Sequence, residues 1–243
     1  MKVVAIIQAR MGSTRLPGKV LLKVFNKPLL AYQVERVKRS KLINEIVIAT
    51  TTKDLDQEIV NFCKLMSLSY YRGSEDDVLS RYYEAATIYK ADIVVRITSD
   101  CPLIDPNIID LVINDFMINM KQIDYTSNTV QRSFPIGMDI EVMSYSLIKS
   151  INRINLVQPF REHVTPYVYK SGNFIIRQVL QETDKSHLRL TVDTPEDFIL
   201  ISKIIEELYP KNPFFTLQDV YDLLDKKPEL LMINHHIKQK KIE

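Results

Sequence analysis

Residues 8–19, Gln8-Ala9-Arg10-Met11-Gly12-Ser13-Thr14-Arg15-Leu16-Pro17-Gly18-Lys19, combine the groups that a polyphosphate requires. Arg10, Arg15 and Lys19 bring three positive charges, and Ser13 and Thr14 bring hydroxyl donors. Gly12 and Gly18 are two of only five glycines in the chain. Glycine lets a backbone come close to an anion and turn its N–H groups inward. The stretch is not a Gly-x-x-x-x-Gly-Lys-Ser/Thr loop, since Val20 stands where Ser or Thr would be needed, and it is not Gly-x-Gly-x-x-Gly. The competing reading is a surface loop with scattered bases. A second candidate is Asp100, just beyond an apolar run, where a carboxylate would share a crevice with that loop. Mg²⁺ prefers one or two protein carboxylates completed by substrate phosphates. Asp139 and Glu141 stand two apart and would face one side of a strand. Gly137 before them permits an unusual turn. Arg161 and His163 lie close together at the expected start of a helical stretch. The acidic pair can bind sugar hydroxyls, and Arg161 or His163 a carboxylate or phosphate. His163, with an ordinary pKa of about 6.5, can also act as a base or serve a purely structural hydrogen bond.

These residues need a scaffold that brings distant loops together, and the hydrophobic pattern supplies one. Val3–Gln8 and Glu45–Thr51 are nearly continuous apolar runs, as in strands buried on both faces. Ser69–Tyr71 and Asp92–Thr98 read as further strands. Between them lie helical patterns: one from Pro28 with Leu30, Val34 and Val37, one capped by Asp54 and running to about Leu68, and one opened by Asp76 or Asp77. Asp105-Pro106 starts a fourth, to about Met120. Strands alternating with helices imply a doubly wound α/β fold with a mostly parallel, Rossmann-like sheet. Such sheets bind ligands at the carboxyl edge of their strands, where residues 8–19 and Asp100 fall. The second half adds expected strands at 139–143, 174–180 and 187–192, and a helix from Pro195 with Phe198, Ile201, Ile205 and Leu208 on one face. We read one domain over residues 1–243 with a small antiparallel excursion at about 125–180, and a polar tail from Lys238 that is expected to fray.

Composition sets outer limits. The 243 residues are 46% apolar and 26% charged, which excludes a disordered chain. No apolar stretch approaches the ~18 residues that cross a bilayer, and Met1–Ile7 runs into a poor cleavage context, so a cytoplasmic protein is expected. Two cysteines, Cys63 and Cys101, are too few for a disulfide scaffold. The net charge of +2 hides an asymmetry: residues 1–40 hold nine bases and one acid, +8, leaving 23 bases and 29 acids, −6. That pattern fits a local anion site and not a nucleic-acid surface. The six N-terminal bases outside the loop are expected to be surface charge.

Ala-Arg-x-Gly-Ser-x-Arg-x-Pro-Gly-Lys after a first strand resembles the signature of sugar nucleotidyltransferases, most of all the cytidylyltransferases that make CMP-activated acylneuraminate and 3-deoxy-manno-octulosonate. Five ordered blocks extend the resemblance over about residues 3–205, toward the branch named for spore-coat polysaccharide biosynthesis protein F. These are Tyr71–Tyr82, Arg96–Asp105, Gly137–Val142, Arg161–Tyr167 and Leu188–Asp197. The resemblance implies attack of an acceptor oxygen on the α-phosphorus of CTP with release of pyrophosphate, aided by Mg²⁺. It implies that Arg10 and Lys19, with Arg15, grip the triphosphate. Ala9, Met11, Gly12 and Ser13 would bind the nucleotide, and Arg72-Gly73-Ser74 and Thr98 would meet the cytosine. Asp100 matches a metal-binding Asp, although Cys101 stands where the octulosonate enzymes carry an acid. Asp193 matches a second metal carboxylate; its alternative role is to cap the helix from Pro195. Asp139, Glu141, Arg161 and His163 become candidates for the acceptor. The resemblance also implies a homodimer. The competing functions are a glycosyltransferase using a nucleotide-sugar donor, which usually shows Asp-x-Asp where this chain has Ser99-Asp100-Cys101, and a non-catalytic nucleotide-binding module.

Overall fold

The computed structural model describes residues 1–239. Among them the chain begins with strand β1 (Val3–Gln8), whose Val3 to Ile7 are almost wholly buried. Its side chains alternate between two cores: Val3, Ala5 and Ile7 enter one, Val4 and Ile6 the other. A strand with two dry faces must be apolar at every position, which is why it is legible as a continuous run. After the loop and a small hairpin, β2 (Lys23–Val24) and β3 (Lys27–Pro28), come α1 (Leu29–Val37), β4 (Glu45–Thr51), α2 (Gln57–Leu65), β5 (Ser69–Gly73), α3 (Val78–Ile88), β6 (Ile93–Thr98) and α4 (Pro106–Asn119). β7 (Tyr125–Ser127), β8 (Glu141–Ser144), α5 (Tyr145–Asn152), α6 (Gln158–His163), α7 (Pro166–Lys170), β9 (Ile176–Gln178), α8 (Pro195–Leu208) and α9 (Leu217–Lys226) follow.

The main sheet has the order β5-β4-β1-β6-β8-β7-β9. β1, β4, β5 and β6 run parallel; β8 is antiparallel to β6 and to β7, and β7 and β9 pair in parallel. One face is covered by α1, α2, α4, α8 and α9, the other by α3, α5, the turn at Val164 and α7 through Val168. β1 lies centrally, with Gln8 opposite Thr98 of β6, so the chain leaves both strands side by side. This is the doubly wound arrangement expected, and the crevice between those strand ends is its natural ligand site.

Several local expectations change. Asp54 does not cap a helix; residues Asp54–Asp56 form a 3-10 turn before α2, and the buried Asp56 carries the bonds. Pro28 precedes α1 in extended conformation and is not in its first turn. Residues 187–192 alternate like a strand, with Leu188, Leu190 and Val192 in the core, but form only one bridge, Ile136 to Arg189. They cross the sheet edge, where Val192 donates to the Asp100 carbonyl at 2.9 Å. β8 and β9 are shorter than expected. Arg36, expected on the surface, is 3% exposed, donates to the Ile104 carbonyl at 2.7 Å and lies over Phe215. Of the expected frayed tail, residues 240–243 lie outside the described residues. Among the described residues no helix is long and apolar enough to cross a membrane.

Candidate functional site

An open cleft of about 410 Å³ sits over the carboxyl ends of β1 and β6. The loop of residues 8–19 forms one wall. It is closed on itself, because the Met11 carbonyl accepts the N–H groups of Ser13 and Gly18, each at 2.9 Å. It is tied down where the Met11 N–H donates to Asp56 Oδ1 at 2.7 Å. Gly18 has φ +68°, a left-handed conformation that a side chain would strain. Ala9, Arg10, Ser13, Thr14, Arg15 and Lys19 line the cleft; Met11 and Gly12 do not, and Met11 serves the loop's shape through its carbonyl.

Lys19 is the centre of the site's electrostatics. Its Nζ lies 3.2 Å from Asp100 Oδ2 and 2.7 Å from Asp193 Oδ1, so two carboxylates 93 positions apart in the sequence converge on one cationic point. Burial works against the lysine's charge, but Asp100 and Asp193 prevail and raise its pKa above the ordinary value. Burial likewise opposes the Asp100 charge, yet Lys19 and hydrogen bonds from Thr98 and Cys101 hold its carboxyl below the usual range. Arg15 reaches Asp193 Oδ2 at 3.0 Å, and Arg10 approaches Glu75 at 3.6 Å. Asp193 does not cap α8. Thr194 does, in a capping box with Asp197, which leaves the Asp193 side chain to the cleft. Among the described residues no group of three or more His, Cys, Asp or Glu is arranged for a metal. Two carboxylates on one cation point nonetheless suit an ion such as Mg²⁺, whose other positions are filled by phosphate oxygens and water.

On the β5 side, Arg72, Gly73 and Ser74 do not line the cleft. Arg72 is held by the carbonyls of Thr51 and Lys53, both at 2.9 Å, and by Gln57 at 3.0 Å, because its strand position opposite Thr50 sets it beside the end of β4 and the turn that follows. The Ser74 carbonyl accepts from Arg81 Nη1 at 2.7 Å, and it is Arg81, on α3, that lines the cleft there. Thr98 lines the floor, its carbonyl held by Gln33 at 2.7 Å. Tyr82, Arg81's neighbour, is buried under β1 and β6 instead.

On the β8 side, Asp139 lines the cleft, paired bidentately with Arg132 at 2.5 and 2.9 Å. Glu141 does not. It is 6% exposed and bonds the Arg96 guanidinium and, at 2.9 Å, the Tyr125 hydroxyl. The alternation expected of 139 and 141 fails because β8 starts at Glu141. Gly137 before it has φ +102°, and a Cβ there would lie 2.5 Å from the Leu190 carbonyl oxygen. Arg161 lies within α6, not at the start of a helical stretch, and binds Asp77 and Asn152, each at 2.8 Å, away from the cleft. His163, the last residue of α6, lines the cleft with Glu162. The chain turns sharply behind it: Val164 has φ +72° and ψ −61°, and the Thr165 N–H donates to the His163 carbonyl at 2.9 Å. A β-branched residue in that rare γ-turn stores strain of order 1–3 kcal/mol, of the kind found at functional sites.

Sequence reasoning assigns no role to Arg96, Glu162 or Gln239, all of which line the cleft. The signal for Arg96 is a single charge inside the apolar run 93–97; a largely buried arginine there demands a partner, and that partner, Glu141, stands directly opposite it on β8, 45 positions along the chain.

Known proteins resemble this chain in sequence and in fold. The sequence model of the Cytidylyltransferase family matches residues 4–232. The spore coat polysaccharide biosynthesis protein SpsF of Bacillus subtilis is 33% identical over 92% of this chain and 94% of its own. A cytidylyltransferase structure from Leptospira borgpetersenii superposes with a TM-score of 0.91 at 37% identity, covering 99% of this chain and all of that one. A CMP:2-keto-3-deoxy-manno-octonic acid synthetase solved with CTP shares the fold at a TM-score of 0.67 and 19% identity, over 86% of this chain and 100% of that one.

Proposed function

Because the chain belongs to the cytidylyltransferase family of nucleotidyltransferases, we propose that it transfers CMP from CTP to a sugar acid or related small acceptor, in a Mg²⁺-dependent reaction that releases pyrophosphate and serves surface polysaccharide assembly. The observation that carries this reading is the convergence of Asp100 and Asp193 on one cation point beside a loop with three bases. The choice of CTP is supported by the family and by the related fold solved with CTP. A sugar acceptor is supported by the polysaccharide role in the name of the Bacillus relative.

In this reading the triphosphate lies along residues 9–19, with Arg10, Arg15 and Lys19 donating to oxygens whose charge grows as pyrophosphate departs. Groups aimed at developing charge lower the barrier more than groups that bind substrate and transition state alike. Asp100 and Asp193 would hold Mg²⁺, which when bound neutralises phosphate charge. Lys19 then exchanges its carboxylate partners for phosphate oxygens. The base lies toward Thr98, Arg81 and the loop that Arg72, Gly73 and Ser74 shape. The acceptor lies toward Asp139, His163 and Arg96, where Glu141 and Arg161 act by holding Arg96 and α6 in place. Work in the cytoplasm, where nucleoside triphosphates are abundant, belongs to the same reading. So does a homodimer, supported by the exposed Val130, Ile154, Val157, Ile175 and Leu180 of the 125–180 excursion; light scattering that finds only monomer at working concentration would contradict it.

The test is pyrophosphate release from each of the four nucleoside triphosphates against a panel of sugar acids, phosphorylated sugars and neutral sugars. CTP with a sugar acid and Mg²⁺ should give product, and Asp100→Asn should abolish it. Turnover with another triphosphate alone, or metal dependence unchanged in Asp100→Asn, would refute the reading. The family assignment disfavours the glycosyltransferase and sensor alternatives.

A further inference from the structure

Behind Asp193, on the side away from the cleft, stands a charged assembly that the reaction does not itself require. Asp197 is fully buried, at 0% exposure. Its Oδ1 accepts from Arg189 Nε and from Asn234 Nδ2, both at 2.8 Å. Its Oδ2 accepts from Arg189 Nη2 at 2.8 Å and from the backbone N–H groups of Asp193 at 3.0 Å and Thr194 at 3.2 Å. An isolated buried carboxylate is costly, and this one is matched by a two-pronged guanidinium and by amides. A helix cap needs only the Thr194 bonds, so the arginine and asparagine are additional.

Arg189 has donors left over, and they point at the site. The same Nη2 reaches Asp193 Oδ2 at 3.0 Å, while Nη1 bonds Gln239, which lines the cleft. Asn234 also donates to the Arg189 carbonyl at 3.1 Å, fixing its backbone. The guanidinium therefore satisfies Asp197 with two bonds and Asp193 with one. The guanidinium thus bridges the two carboxylates, and Asp193 Oδ1 is left to the cleft, where it meets Lys19.

The geometry points to Arg189 as a positioning residue: braced by Asp197, Asn234 and Gln239, it holds Asp193 Oδ2 from behind so that Oδ1 is aimed at the cation point shared with Asp100. Residues 234–239, more than 40 positions beyond Asp193, thus belong to the support of the active site. The inference rests on the reading of Asp193 as a metal carboxylate. Partners that orient a metal's ligands typically change metal affinity or activity by 10–100-fold when removed.

The test is binding without turnover. The Kd of CTP is measured by calorimetry, acceptor absent, with and without Mg²⁺; the ratio of the two values is the metal's contribution. Wild-type protein should show a large ratio, and Asp193→Asn a ratio near one. Arg189→Lys keeps the charge but loses the two-pronged bond, and should cut the ratio about tenfold. Asn234→Ala should cut it by a smaller factor, and decides alone if Arg189→Lys fails to fold. A general structural weakening would raise both Kd values together and leave the ratio as in wild type, which would overturn the proposal. If Asp193→Asn keeps the wild-type ratio, the metal reading of Asp193 fails and the positioning role with it. If Asp193→Asn lowers the ratio while Arg189→Lys and Asn234→Ala do not, only the positioning role fails.

Discussion

On the loop wall of the cleft, the Arg10 and Arg15 side chains keep 45% and 44% of their surface exposed and meet carboxylates at 3.6 and 3.0 Å. In and behind the facing wall, the Arg96 and Glu141 side chains are 12% and 8% exposed, and those of Arg189 and Asp197 are 5% and 0%. Exposed ion pairs contribute little to stability, about 0–1 kcal/mol, so the loop's charges remain available to an incoming anion. Buried pairs are different. Their attraction is largely consumed by desolvation, yet removing one member leaves a charge stranded. One wall is therefore built to exchange partners and the other to keep them. Lys19, 13% exposed and bonded across to Asp100 and Asp193, is where the two meet.

That contrast breaks if stability and activity do not separate between the walls. Glu141→Ala, on the fixed wall, should lower unfolding stability by about 3–5 kcal/mol, because it strands the largely buried Arg96 at the base of the cleft. A loss within experimental error in chemical denaturation would show that the facing wall is not held by this pair. Lys19→Ala, on the exchanging wall, should reduce turnover by about 10²–10³-fold, the scale of removing one donor to developing charge, while the protein stays folded. Turnover like wild type would end the triphosphate assignment. The smallest effect concerns the thiols. Burial pushes Cys63 up to about 12, and burial with the neighbouring Asp100 pushes Cys101 well above its ordinary value. A raised pKa means the thiolate forms only at higher pH, so at pH 8 both remain thiols. A thiol-disulfide reagent should react with neither in the native protein and with both after unfolding; rapid native reaction of Cys101 would show the facing wall to be open.

The two walls also differed in how far the sequence disclosed them. The loop is local: its charges, glycines and hydroxyls fall within residues 8–19, directly after a strand whose two-sided burial makes it continuous and apolar. β1 and β4 were accordingly legible to the residue. The facing wall is assembled from residues 96, 139–141, 162–163 and 189–197, and its partnerships are decided by tertiary contacts. Glu141 reads as an acceptor-binding acid beside Asp139 until β8 is seen to pair with β6 and set it opposite Arg96. Arg72 reads as a ligand-facing base until the carbonyls of Thr51 and Lys53, at and just beyond the end of β4, are seen to hold it. Residues 187–192 have the alternation of a strand but meet a neighbour at one point only. Helix 195–208 was visible, yet its Asp197 reads as a surface acid near the helix start, since nothing in the local pattern shows that Arg189 and Asn234 close over it.

The central claim is that the cleft binds CTP through the loop's bases with a metal on Asp100 and Asp193. Calorimetric titration of CTP into wild-type protein and Lys19→Ala, each with Mg²⁺, tests it most directly. Wild type should bind CTP at one site per chain, and Lys19→Ala should bind it at least about tenfold more weakly, a loss of roughly 1.4 kcal/mol. Equal affinities in the two proteins, or no CTP binding to wild type, would contradict the account.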